Sequence, residues 1–304
     1  MQLHLAQLNV ATLRQSMDHA DTAGFADGLM PVNSLAESTS GFVWRMQTDA
    51  GDATSIGIFP NPLTIPNLTV WESLAALRDF VYCSLHRDFS HRRAEWFEVG
   101  SLTVMWWIPA GATPTVHDAR ARLGFIERFG PSPYAFEMGQ QFAPLVVVRR
   151  DLNHPDVGPM IEQLNRELID TEPDGGKCFH SLSAAEVQDG GAFFVAYLDD
   201  APLACGAYRR VDATPGAAEV KRMWAHPDSR GFKLGAAILA TIVQAATADG
   251  YRELKLETGE HLTAAVGLYR RAGFEQCEPW GEYTDSPLSH CMRMTLDASV
   301  ATSA

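Results

Sequence analysis

Ala218 to Ala248 reads AEVKRMWAHPDSRGFKLGAAILATIVQAATA, and its pattern decides the fold of the second half of the chain. A β-prone run, AEVKRMWA, meets a short Pro-containing loop and an Arg-Gly turn. A long apolar-faced helix then follows. This order aims the free N–H groups of a helix start at one spot. The orphan donors and the positive end of the helix dipole make such a spot a phosphate site. Gly231 and Gly235 let the main chain approach an oxyanion closely, and Arg230 and Lys233 supply positive charge. The alternative is a helix start with a solvated basic pair, because a Gly-x-x-x-Gly helix start is a weak motif alone.

Outward from this stretch, the second half alternates strands and helices. LVVVRR begins it at Leu145, and a helix with Met160, Ile161, Leu164, Leu168 and Ile169 on one face follows near Pro155 to Asp170. AFFVAYL and PLACGAYRRV flank Asp199-Asp200, which reads as a hairpin turn. ELKLETG is a strand, HLTAAVGLYRRAGF a helix closed by Gly273, and HCMRMTL a last strand. The first half reads as an α+β pattern: strands in QLHLAQLNV, GFVWRMQ, TSIGIF, TIPNLTVW and SLTVMWWIPA, and helices at Thr22 to Glu37, from Ser73 with a break near Ser84, and after Thr113-Pro-Thr115. Gly130-Pro-Ser-Pro133 stops the third helix. The boundary falls near Gly139 to Pro144, giving domains 1–142 and 143–304.

Composition narrows the partners. The chain has 304 residues and a formal net charge of −13, which disfavours general nucleic-acid binding. Five scattered cysteines without a Cys-x-x-Cys pair argue against a disulfide framework or a zinc site, so no metal is expected. The expected compartment is the reducing cytoplasm, with no signal peptide, and no membrane partner follows because no apolar run approaches about 18 residues.

Two sets of motifs carry family resemblances. AHPDSRGFKLGAAIL and the downstream LYRRAGF (Leu268 to Phe274) resemble the GCN5-related N-acetyltransferases, the GNAT superfamily, over about Leu145 to Leu296. The resemblance implies a central mixed, mostly antiparallel sheet flanked by helices. It implies acetyl-CoA as cosubstrate, gripped by Arg230, Gly231, Phe232, Lys233, Leu234, Gly235 and Ala236. Met223, Trp224 and Ala225 would hold the acetyl carbonyl and the pantetheine arm. Lys233 stands where the family usually has Gly; we expect it to meet a phosphate directly.

Amine acetylation needs a base for the amine and an acid for the departing thiolate. Glu219, on the strand before the loop, is the first base candidate and Glu257 the second. The other reading of Glu219 is an ion-paired strand residue, with Lys221 as its partner. Tyr269 matches the family's thiolate acid; packing on the core is its other reading. Cys291 reads as core rather than nucleophile, so transfer is direct. The expected acceptor is a primary amine of a small molecule or amino-acid-like substrate. The alternatives are an acyl-CoA sensor without turnover and a fusion with a monooxygenase-like N-terminal domain.

HLAQLNV, GFVWR, HRDFSHRRAEWFE and VMWWIPAG resemble an uncharacterised bacterial domain family over about Met1 to Phe136. That resemblance implies a ferredoxin-like, dimeric α+β-barrel fold and a homodimer through this domain, but no activity. His86, His91, Arg92, Arg93 and Trp96 read either as a pocket for an anion or haem edge, or as a helix whose cations face water while Phe89, Trp96 and Phe97 pack. The second reading is preferred. Trp44, Trp71, Trp106 and Trp107 read as core or interface.

Overall fold

The computed structural model describes residues 1–171, 184–284 and 289–296. Cys178 and part of the terminal TDSPLSHCM, positions 285–288, lie outside the described residues. The chain divides into two compact units: 1–124 with 135–144, and 125–134 with 145–304. Segment 125–134 clusters with the C-terminal unit.

In the N-terminal unit, β1 (Leu3–Thr12), α1 (Ala23–Ser38), β2 (Phe42–Arg45) and β3 (Thr64–Trp71) come first. They are followed by α2 (Leu74–Tyr82), α3 (Ser84–His91), α4 (Arg93–Trp96), β4 (Leu102–Pro109) and the start of α5 (Val116–Phe129). The sheet order is β2-β3-β1-β4, and each neighbouring pair is antiparallel. TSIGIF forms no strand; residues 54–59 are turn and coil. Gly57 weakens a strand at its middle, and the run finds no pairing partner among the described residues. The helix expected from Ser73 breaks twice, at Cys83, which is extended with ψ 155°, and again at Arg92. The Ser73 hydroxyl caps α2 by accepting from the Ala76 amide. Trp71, Leu77, Phe80 and Met105 pack with Leu5 at one end of the sheet. Phe25, Trp96 and Leu13 form a second cluster, joined by Phe89 and Phe97.

The C-terminal unit continues with β5 (Leu145–Arg150), α6 (Val157–Thr171), α7 (Ala184–Gln188), β6 (Ala192–Leu198), β7 (Ala201–Arg210) and β8 (Ala217–Ala225). Then come α8 (Leu234–Ala248), β9 (Glu253–Gly259), α9 (Thr263–Ala272), β10 (Glu275–Gln276) and β11 (Ser289–Thr295). The sheet order is β10-β11-β9-β8-β7-β6-β5. It is antiparallel except for β8 with β9, which α8 connects as a parallel crossover. Asp199 and Asp200 have φ of 51° and 64°, the two left-handed positions of a type I′ hairpin turn. Apolar residues line α8 almost all round, with Leu234, Ile238, Leu239 and Ile242 fully buried. Gly273, at φ 105°, closes α9.

Candidate active site

The parallel pairing of β8 with β9 runs only from Ala217 opposite Glu253 to Val220 opposite Leu256. Both strands continue, β8 to Ala225 and β9 to Gly259, without pairing to each other. The cause lies on the other edge of β8. Cys205 faces Trp224 while Ala207 faces Lys221, so β8 carries one extra residue there. Arg222 takes up the bulge with φ 57°. The strands therefore splay after Val220, and the β9-facing edge of Met223, Trp224 and Ala225 has no strand partner among the described residues.

The turn after β8 opens onto α8. The His226 ring accepts from the Asp228 amide, and the buried Ser229 hydroxyl donates to the His226 carbonyl at 2.8 Å. Gly231 has φ 101°, a conformation only glycine adopts without strain. The amides of Gly231, Lys233, Leu234, Gly235 and Ala236 have no acceptor among the described residues, and no side chain caps α8. Unpaired amides at the start of a long helix suit a diphosphate.

Lys233 is already engaged in this structure. It is the residue before α8 and is left-handed, with φ 62° and ψ 26°. A side chain there costs about 1–2 kcal/mol, the physical reason glycine suits the position. Its ammonium does not point at the turn. It donates to the Phe129 carbonyl and, at 3.0 Å, to the Pro131 carbonyl, where α5 ends. Arg230 is likewise engaged: its guanidinium pairs with Glu167 of α6. Glu167 also accepts from the Trp224 indole at 3.0 Å. Phe232 is 47% exposed beside them.

Glu219 is buried on β8 and its carboxylate is fully engaged. Arg209 Nε donates to it at 2.7 Å, Lys221 Nζ at 3.1 Å and the Tyr283 hydroxyl at 2.6 Å. The ion-paired reading with Lys221 thus describes its ground state. Arg209 also pairs with Glu186 and, at 2.9 Å, with Glu282. Burial and the Glu219 charge hold the Tyr283 proton far above the usual phenol range. A cavity of about 600 Å³ adjoins this network. Glu186, Asp189, Asp212, Glu219 and Glu282 line it against Arg209 and Arg210, so its walls carry an acidic excess.

Glu257 sits near the end of β9, half-buried, opposite Cys291. Tyr269 is buried on α9, with its ring 5.9 Å from Phe274. Burial first, and the Glu257 charge second, push its hydroxyl well above the usual phenol range, so it holds its proton at neutral pH. Both of its readings meet here: the ring is core, and no hydrogen bond ties the hydroxyl among the described residues. Burial pushes the Cys291 thiol up to about 11, so no thiolate forms there at neutral pH.

The fold, the splayed strands and the turn define an acyltransferase domain, and comparison with known proteins agrees. Residues 160–274 match the acetyltransferase (GNAT) family, and residues 4–150 match a domain of unknown function, DUF3291. The chain is 35% identical to the IAA acetyltransferase of Azospirillum brasilense over 154 residues, which is 50% of this chain and 99% of that protein. It is 38% identical to an uncharacterized N-acetyltransferase of Schizosaccharomyces pombe, over 28% of this chain and 50% of that protein. A GNAT family acetyltransferase structure from Elizabethkingia anophelis, with acetyl-CoA bound, is similar at 16% identity and TM-score 0.38, over 50% of this chain and 98% of that one. Through its C-terminal half the chain belongs to the GNAT acetyltransferase family and is an acyltransferase. Among the described residues no helix is long and apolar enough to cross a membrane.

Arg209, Glu186, Glu282, Tyr283 and Glu167 were not singled out from the sequence. The hairpin register that puts Arg209 opposite Glu219 held a usable signal. The approach of Glu186, Glu282 and Tyr283 had none, because two segments remote in sequence bring them in.

Proposed function

We propose that this chain is an acetyl-CoA-dependent N-acetyltransferase that acetylates a primary amine of a small cationic molecule by direct attack. The acidic cavity beside Glu219 carries the acceptor assignment, because an acidic wall attracts an ammonium and repels a carboxylate. The unpaired amides of Gly231 and of Lys233 to Ala236 fit the diphosphate of acetyl-CoA, and the free edge of Met223 to Ala225 fits its pantetheine arm. Acetyl-CoA supplies an activated thioester carbonyl.

In this reading Glu219, which lines the cavity, takes the amine proton directly or through a water. The amine nitrogen then forms its bond to the carbonyl carbon as the carbon–sulfur bond breaks. Tyr269 gives its proton to the leaving thiolate. Glu257, near Tyr269 and outside the cavity lining, is the second base candidate. The reading is tested by thiol release from acetyl-CoA against amines, amino acids, aminoglycosides and peptides. IAA joins the panel because the Azospirillum relative carries that name. Turnover with small cationic amines is expected. Saturable acetyl-CoA binding without turnover on any acceptor would replace this reading with the sensor.

A further inference from the structure

The N-terminal unit holds a cavity of about 210 Å³ that no part of the acetyl-transfer chemistry uses. It lies over the two central strands of the four-stranded sheet, β1 and β3. Asn9 and Asn67 face each other across those strands in direct register, and both line it. Asparagine is poorly suited to strand interiors, where β-branched and aromatic residues fit the pleat. A central strand covered by helices would bury this position, yet Asn67 is exposed, so the layer above it is open. Asn33 of α1 lines the same space, so three of the chain's six asparagines converge on one small cavity.

Their amide groups are largely unspent. Asn9 has only a 3.4 Å contact from the Thr103 hydroxyl, and the side chains of Asn33 and Asn67 have no hydrogen-bond partner among the described residues. Local choices that break the rules for a strand tend to mark functional sites.

The remaining walls set the shape and charge of an occupant. Phe25, Phe89, Trp96 and Phe97 form an aromatic wall, with ring centroids 4.9–5.9 Å apart. Rings packed in this way accept a flat apolar body. The buried Arg45 guanidinium is neutralised by Glu37 at 2.8 Å and donates to the Gly51 carbonyl. Arg93 and Asp52 are opposite charges on the lining. His86 places Nδ1 against the Val81 carbonyl, and burial lowers its pKa, so the ring stays neutral near pH 7. The cavity is somewhat larger than the roughly 150 Å³ space that binds benzene in an engineered protein core. It takes one substituted ring, not a porphyrin.

We propose that this cavity is a binding site for a small planar ring compound, neutral overall, whose edge both donates and accepts hydrogen bonds as a carboxamide or lactam does. An asparagine amide is complementary to such an edge, since each partner offers a carbonyl oxygen and an N–H.

Titration of the full-length chain with benzamide, benzoate and toluene, followed by ligand-observed NMR, tests this with the ring held constant. Benzamide is expected to bind saturably and at least about tenfold more tightly than either control, because a site that hydrogen-bonds its ligand rejects an analogue lacking the group. Asn67→Val, a substitution that favours the strand, is expected to weaken benzamide at least about tenfold while leaving toluene unchanged. Should that variant melt at a lower temperature, Asn33→Ala on α1 provides the same readout without touching the sheet. Equal affinity for the three probes, tightest binding of benzoate, no saturable binding of benzamide, or benzamide binding unaffected by the folded variant would each overturn the proposal.

Discussion

The turn after β8 offers main-chain amides, whereas the cavity over β1 and β3 offers side-chain amides. At the turn, Arg230 and Lys233 look inviting in sequence, yet their charges are spent on Glu167 and on the carbonyls of Phe129 and Pro131. What is left unpaired there, among the described residues, is the amides of Gly231 and of Lys233 to Ala236. Over the N-terminal sheet the backbone is paired strand to strand, and the asparagine side chains are what remains. A site made of backbone depends on conformation and tolerates changes of side chain. A site made of side chains tolerates the reverse. The acidic cavity beside Glu219 belongs to the second kind, since it is built from charges that hold one another in place.

Substitutions sharpen this contrast. The largest effect is expected for Glu219→Gln, where kcat should fall about 10²–10⁴-fold, the range for losing a general base, with KM for acetyl-CoA little changed. A rise in KM matching the fall in kcat, or a collapse of the melting transition, would make Glu219 a structural member of the Arg209 network instead. Gly231→Val should come next. It forces a branched side chain into φ 101° and should raise KM for acetyl-CoA at least about tenfold with kcat largely retained. An unchanged KM would break the main-chain account of the turn. The smallest effect is expected for Lys233→Gly. It relieves about 1–2 kcal/mol of left-handed strain but removes the contacts to Phe129 and Pro131. KM for acetyl-CoA should move by less than about threefold, measured by steady-state kinetics. A larger rise would return Lys233 to the phosphate.

Legibility differed between the halves for a reason visible in particular elements. The strand, turn and helix from Ala218 to Ala248 are consecutive, so their geometry follows from local rules of capping, glycine conformation and helical period. The Asp199-Asp200 turn and the Gly273 helix end were legible on the same ground. TSIGIF was misread because alternation signals a strand only when a neighbour is there to pair with it. Asn9 and Asn67 are 58 positions apart, and nothing local announces that they meet.

The sequence by itself determined that the second half would present a helix start after a strand, with Gly231 at one of the turn's two left-handed positions. Tertiary structure alone decided where the charges go. Lys233 reaches the end of α5, Arg230 reaches α6, and Glu219 is enclosed by Arg209, Lys221 and Tyr283. The physical reason is range: conformational preferences act within a few residues, while a long charged side chain takes whichever partner the folded chain brings near.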